Sequence, residues 1–155
     1  MASTPQDPDL GILLGLAYEQ FVIELRATLA EQGFDDAGRS DGYVFRCLTK
    51  RPMHVSELAE RLAISKQGAA QIVDDMQQRG YVERRPDPAD GRAKLLYLTE
   101  RGNAALAAAR RFHRQREQRL VRELGADAVN TLRAVLGAVA TEERLVDPQL
   151  RAMHV

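Results

Sequence analysis

Few side chains in this sequence are of the kinds that make and break bonds. The three histidines, His54, His113 and His154, and the single cysteine, Cys47, stand far apart in the chain. None has a cysteine or carboxylate cluster at metal-ligand spacing, and neither a glycine-rich phosphate loop nor a nucleophile with its base is visible. An enzyme, a metal sensor and a bound cofactor are therefore not expected. Cys47 cannot form an internal disulfide, which fits a reducing cytoplasm. With no activating charge evident in the sequence, it reads as a small buried hydrophobe rather than a redox switch. What the sequence does concentrate is anion-binding chemistry. Arg84, Arg85, Arg92 and Lys94 face only Asp87 and Asp90 within eleven residues, a local patch suited to phosphate. Taken alone, such a patch is as readily a solvated hairpin tip.

The whole chain is not basic: 22 Lys and Arg balance 22 Asp and Glu, which by itself argues against a nucleic-acid partner. Distribution matters more than the total. Residues 1–49 hold three basic and eight acidic side chains, residues 50–94 nine and seven, and residues 95–155 ten and seven. The chain is acidic first and mildly basic later. Its 155 residues, 45% hydrophobic and without tryptophan, suit one compact helix-rich body or two fused lobes. Met1 to Asp9 is polar and proline-containing rather than signal-like, and no apolar run approaches the ~20 residues of a membrane span. The expectation is a cytoplasmic protein without membrane association, with residues 1–9 as a disordered tail.

Elements to carry the basic patch follow from periodicity. Leu10, Leu13, Leu14, Ala17, Phe21 and Leu25 make one helical stripe and Ile12, Leu16, Val22 and Ile23 a second, so this first helix is expected to be covered on two faces, most economically by another subunit. Gly33 stops it. Gly38 to Asp41 supplies a loop and a cap for a short helix through Tyr43, Val44, Cys47 and Leu48, ended by Pro52. Ser56 to Leu62 reads as two turns of helix. Ser65 is placed to cap another from Lys66 to about Gln78, with Ala69, Ile72, Val73 and Met76 inward and Gly80 as its stop. Two short helices across a tight turn are a helix-turn-helix. Tyr81 to Arg85 and Arg92 to Leu98 then read as strands around a Pro, Asp and Gly tip, a hairpin wing. Thr99 caps a long helix carrying Leu106, Ala109, His113, Leu120 and Leu124. A last helix from about Asp127 is expected to bury Ala128, Leu132, Val135, Leu136 and Val139, with Pro148 closing it. The fold class is mostly α with a small β-hairpin wing (α+β), a winged helix-turn-helix over residues 39–99 between dimerisation helices at 10–38 and 100–155.

The run SELAERLAISKQGAAQIVDDMQQRGYVERRPDPADGRAKLLYLTERG, Ser56 to Gly102, resembles the winged helix-turn-helix of MarR-type transcriptional regulators, and the order of elements around it extends the resemblance over nearly the whole chain. The wing tip, Asp87 to Arg92, is its most specific piece. The resemblance implies a homodimer on a pseudo-palindromic duplex, with Ser65, Lys66, Gln67, Gly68, Ala70 and Gln71 as the groove-facing surface. An amide side chain both donates to and accepts from adenine, so Gln67 and Gln71 are the candidates for base contacts and Lys66 for phosphate. In the family an arginine of the wing enters the minor groove, steadied by an aspartate two residues earlier; the matching positions are Arg92 and Asp90. Arg84, Arg85 and Lys94 complete the expected DNA surface. Where the family commonly has a basic residue, Gln71 and Asp75 stand here, so this recognition helix is less positive than many.

The resemblance also implies a pocket for a small aromatic or phenolic anion between the dimerisation helices and the DNA-binding lobe, with Phe21, Tyr43, Phe45, Arg46, Phe112 and His113 as candidate walls. The stretch Arg110, Arg111, Arg114, Arg116, Arg119 and Arg122 could mimic a second nucleic-acid surface. It is read instead as solvated or paired with acidic residues of the first helix such as Glu19, Glu24 and Glu31. A repressor released by an effector is the leading function. The competing one is a winged-helix module that docks on protein, which the neutral overall charge favours.

Overall fold

A computed structural model describes residues 8–38 and 40–139. The expectations that fall on residues 1–7, Arg39, Pro148 and His154 lie outside the described residues. Six helices and one hairpin follow in order: α1 Leu10–Glu31, α2 Asp41–Lys50, α3 Val55–Arg61, α4 Lys66–Gln78, β1 Val82–Pro86, β2 Lys94–Leu98, α5 Glu100–Leu124 and α6 Ala126–Val139. Among the described residues no helix is long and apolar enough to cross a membrane.

Capping chemistry places the boundaries of the central lobe. Ser65 Oγ accepts the Gly68 N–H at 3.0 Å, and Thr99 Oγ1 accepts the Gly102 N–H at 3.0 Å, so α4 and α5 begin where a side chain satisfies an orphan amide. The turn between α3 and α4 is tight. Ala63 adopts φ +42°, with its N–H on the Glu60 carbonyl and that of Ile64 on the Ala59 carbonyl. Gly80, at φ +77°, reverses the chain after α4, a conformation that costs a side-chain-bearing residue energy.

β1 and β2 pair antiparallel from Val82↔Leu98 to Pro86↔Lys94. Both strands sit within two residues of their expected positions. Met53 adds an isolated bridge to Leu96, whose N–H reaches the Met53 carbonyl at 2.9 Å, so β2 is held on both edges. The core gathers Val44, Phe45, Leu48, Met53, Leu58, Leu62, Val73, Met76, Tyr81, Val82, Leu96, Ala105 and Leu106. α5 joins it closely: a Cβ at Gly102 would fall 2.2 Å from the Tyr81 carbonyl oxygen.

Within one chain the face of α1 expected to be covered by another subunit is bare, and the burial expected along α6 fails. α1 packs on α5 only through its second half, and Leu10, Ile12, Leu13, Leu14, Leu16 and Ile23 are exposed, Leu10 at 70%. α6 buries Val129 while Leu132, Val135, Leu136 and Val139 face outward, and Leu124 at the end of α5 is exposed as well. The reason is geometric. α5 is the principal neighbour of either helix, so a helix with two apolar faces keeps one uncovered.

Candidate nucleic-acid interface

α4 turns Ala69, Val73 and Met76 into the core, with Ile72 half-buried, and leaves Lys66, Gln67, Gln71, Asp74, Asp75, Gln77 and Gln78 exposed. Its first turn is open: Ser65, Lys66 and Gln67 are exposed, Gly68 and Ala70 partly so. The unsatisfied amides and positive dipole end of a thirteen-residue helix thus stand beside two amide side chains and an ammonium, an arrangement that can meet base edges and phosphate together.

The tip between the strands is ordered by its own aspartates. Asp87 Oδ1 accepts the Ala89 N–H at 2.8 Å, and Asp90 Oδ1 accepts the Arg92 backbone N–H at 3.0 Å. The Asp87 N–H donates to the Ala93 carbonyl at 3.0 Å and the Ala93 N–H to the Asp90 carbonyl at 2.9 Å. Asp90 thus steadies Arg92 through the backbone. The exposed Arg92 guanidinium makes no ion pair or hydrogen bond to another side chain among the described residues.

Arg84 and Arg85 do not stand out as loose cations. Arg84 turns back onto the outward face of α4, donating to Asp74 at 2.7 Å and Gln77 at 2.6 Å. Its charge offsets a carboxylate of α4, and its geometry ties the hairpin stem to that helix. Arg85 pairs with Glu83 and lies 4.7 Å from the Tyr97 ring centroid. Lys94 is exposed at the base of the wing. The positive charge left for a duplex is therefore mainly Lys66, Arg92 and Lys94.

A second polar cluster, which sequence reasoning missed, fastens the α1–α2 loop to the end of α4. Arg79 donates to Asp41 Oδ2 at 2.6 Å, to Asp41 Oδ1 at 3.1 Å and to the Asp36 carbonyl at 2.7 Å. Asp41 is 2% exposed, and its Oδ2 also accepts the Gly38 N–H at 2.7 Å. The Asp41 carboxylate first, with Asp75 adding to it and burial opposing, holds the guanidinium pKa well above its usual range. Fully buried Tyr81 gives its hydroxyl to Asp36, and Arg101 donates to Asp36 at 3.0 Å and to the Gly33 carbonyl at 3.1 Å. Burial, then the Asp36 hydrogen bond and charge, push the Tyr81 phenol up to about 12. The same hydrogen bond from Tyr81, against the opposing effect of burial, lowers the Asp36 carboxyl, with Arg101 adding to it. Nothing local in the sequence marks Gly33, Asp36 and Asp41 as the partners of Arg79, Tyr81 and Arg101, 38 to 68 positions away.

The candidate effector walls divide. Phe21, Phe112 and His113 meet between α1 and α5: Phe21 sits edge-on to Phe112 at 5.2 Å and stacks on His113 at 5.3 Å. Burial, then the charge of Arg46, lowers the His113 pKa. Burial raises the Tyr18 and Tyr43 phenols, with Arg46 opposing in both. Tyr43 and Arg46 therefore belong to this neighbourhood, as does Tyr18, which sequence reading did not name. Phe45 does not. It is 5% exposed and packs edge-on to Tyr81 at 5.7 Å inside the lobe, so it cannot wall an open pocket. Two surface grooves lie elsewhere, one of about 410 Å³ along Arg114, Glu117, Gln118, Val121 and Arg122, the other of about 230 Å³ between Thr49 and the Asn103 to Arg114 face of α5. Of the arginines of α5, Arg116 pairs with an acidic residue of α1, Glu24, at 3.1 Å, whereas Arg119 pairs within α5 with Glu123 at 2.7 Å and Arg111 donates to the neutral Gln32 at 2.8 Å. Burial also raises the Cys47 thiol, against the pull of Arg61 and Lys50, which keeps it a poor nucleophile.

Comparison with known proteins places this geometry among relatives. Residues 39–93 match the model of the MarR family. An uncharacterised HTH-type transcriptional regulator, YkoM of Bacillus subtilis, is 26% identical over 88 residues, and the match spans 57% of each chain. The reduced form of MarR from E. coli superposes with a TM-score of 0.66 at 25% identity, over 88% of this chain and 99% of that one. A mutant of MepR from S. aureus, bound to oligodeoxyribonucleotide, shares the fold with a TM-score of 0.63 at 17% identity, over 86% of this chain and 96% of its own.

Proposed function

We propose that this chain, whose residues 39–93 match the MarR family model, is a winged helix-turn-helix transcription regulator of that kind, which binds a pseudo-palindromic DNA site as a homodimer in the cytoplasm and represses transcription until a small anion releases it. The observation that carries the reading is the junction at Arg84. One side chain ties the wing stem to Asp74 and Gln77 on the outward face of α4, which supports reading the helix that carries Gln67 and Gln71 and the hairpin that carries Arg92 as one DNA-facing unit. A helix in a major groove with a flanking hairpin in the adjacent minor groove needs that arrangement.

The homodimer has its own support. The uncovered apolar faces of α1 and α6 are the kind of surface that a monomer rarely leaves in water, and a symmetric pair covers both at once. MepR, captured with an oligonucleotide, carries the same fold. For the effector, Phe21, Tyr43, His113 and the exposed Arg46, with the buried Phe112 edge-on to Phe21, supply aromatic faces beside a cation, chemistry that suits a phenolic or aromatic anion.

Titrating the protein on a duplex from its own upstream region, at low and high salt, with R92A alongside, tests the reading. Binding that weakens steeply with salt and loses sequence discrimination in R92A is expected. Absence of binding at low salt would refute it. Salt-insensitive capture of protein partners instead would favour a protein-docking winged helix.

A further inference from the structure

Where the wing leaves the body of the lobe, a side chain from outside it joins the two ends of its tip. His54, the N-cap residue of α3, places Nδ1 3.0 Å from the Lys94 carbonyl oxygen and Nε2 3.0 Å from Asp87 Oδ2. A carbonyl and a carboxylate only accept hydrogen bonds, and a neutral imidazole carries one N–H. The doubly protonated ring is the form that donates to both. A neutral ring keeps one tie and turns a lone pair on the other acceptor: with only the Nδ1 proton it faces the Asp87 carboxylate, with only the Nε2 proton it faces the Lys94 carbonyl.

Asp87 is the first link in a chain that ends at Arg92. Its Oδ1 holds the Ala89 N–H, its own N–H binds the Ala93 carbonyl, the Ala93 N–H binds the Asp90 carbonyl, and Asp90 Oδ1 holds the Arg92 N–H. The charged groups at this junction are Asp87 and Lys94 from the wing and, on the segment of His54 itself, Arg51 and Glu57. Arg51 donates to Glu57 at 2.9 Å and Arg61 adds a second contact at 3.0 Å, so Glu57 is already matched and Asp87 is the carboxylate in contact with the ring. The Asp87 side chain is 14% exposed and that of His54 40%. The tie is shielded on the Asp87 side yet open to proton exchange on the other.

We propose that His54 is a positioning residue for the wing: its imidazolium staples Asp87 to Lys94, holds Arg92 at a fixed height beside α4, and makes DNA affinity fall as the ring loses its second proton. The inference rests on the DNA-binding reading above, because a fixed Arg92 matters only if the wing meets a duplex. His54 touches no DNA itself and acts through the hydrogen-bond chain to Arg92.

The test has two arms. Fluorescence anisotropy with the duplex from the chain's own upstream region is followed from about pH 5.5 to about 8.5 at constant ionic strength for wild type, H54Q and R92A. Wild-type affinity is expected to fall about fivefold across that range, an effect of the size measured for coupled neighbours. H54Q and R92A are expected to bind more weakly at the acid end and to give flat profiles. In the second arm, without DNA, the backbone amide resonances of Ala89 and Ala93 are expected to move with pH in wild type and to stand still in H54Q, with both proteins melting within a few degrees of each other. Superimposable pH profiles for wild type and H54Q in both arms would overturn the proposal. So would an R92A profile that still titrates like wild type. Amides that titrate only in wild type, in a protein that binds no duplex at any pH, would uphold the staple and overturn the function it serves.

Discussion

Raising the pH should loosen the corner where α4 gives way to the wing, because Tyr81 must keep its proton there. In the folded chain the phenol is held up to about 12, against 10.0 for an unperturbed tyrosine. Burial is the first cause and the hydrogen bond to Asp36 the second. Below pH 10 both folded and unfolded chains hold the proton, and the contribution of Tyr81 to stability is fully present. Between 10 and 12 only the folded chain holds it, so stability falls as pH rises, by about 1.4 kcal/mol per pH unit and roughly 3 kcal/mol over the window. That is a large share of the ~5–15 kcal/mol that keeps a domain folded. Urea unfolding followed by circular dichroism at steps from pH 9 to 12 measures it directly. Tyr18 and Tyr43, whose phenols are also raised by burial, add a slope of the same sign. The comparison with Y81F is therefore decisive: the variant should be less stable than wild type at pH 9 and should lose stability less steeply above pH 10. Parallel pH profiles for the two proteins would refute the argument and the proposed grip of the tyrosine on Asp36.

Arg84 should separate stability from binding. Its pair with Asp74 joins side chains 24% and 58% exposed, so R84Q should cost under about 1 kcal/mol of stability, read from the same urea curves. On DNA it should lose about fivefold in affinity, with no further loss when added to R92A, since non-additivity marks residues that act through each other; independent, additive losses would make Arg84 a phosphate contact instead. G102A should destabilise by about 2–4 kcal/mol, because the new Cβ meets a backbone oxygen at 2.2 Å. Unchanged thermal unfolding would show that α5 can shift away from Tyr81. V135E, placing a charge on the exposed apolar face of α6, should turn a dimer into a monomer in sedimentation velocity without loss of helix; an unchanged dimer would move the interface elsewhere.

Local chemistry made the central lobe legible. Ser65 and Thr99 have side chains that accept an amide three residues on, and Gly80 takes a positive φ, so α4 occupies Lys66 to Gln78 as its caps and periodicity predict. The wing follows from the same kind of signal, with Asp87 and Asp90 folding their own tip. What escaped the sequence acts across distance. Arg79 finds Asp41 38 positions away and His54 finds Lys94 40 positions away. Neither shows in periodicity, which reports which face is inward but not which polar side chains meet. Arg84 illustrates the limit: a basic residue in a strand beside a recognition helix can answer a phosphate or a carboxylate, and here it answers Asp74. Phe45 and Phe21 look alike in sequence, yet one fills the lobe against Tyr81 and the other stacks on His113. The outer face of α6 reads as buried because a helix pattern cannot say whether its cover comes from the same chain, whereas the two stripes of α1 already call for cover from another subunit.

The most direct test of the central claim is stoichiometry on phased half-sites. Once a footprint has located the bound site, analytical ultracentrifugation of the protein with that duplex should give two chains per site. Inserting about five base pairs between the half-sites, half a helical turn, should cut affinity by about 100-fold or more, because two recognition helices on one rigid pair can no longer reach the same side of the duplex. A single chain per site, or equal affinity for the original and the respaced duplex, would contradict the account.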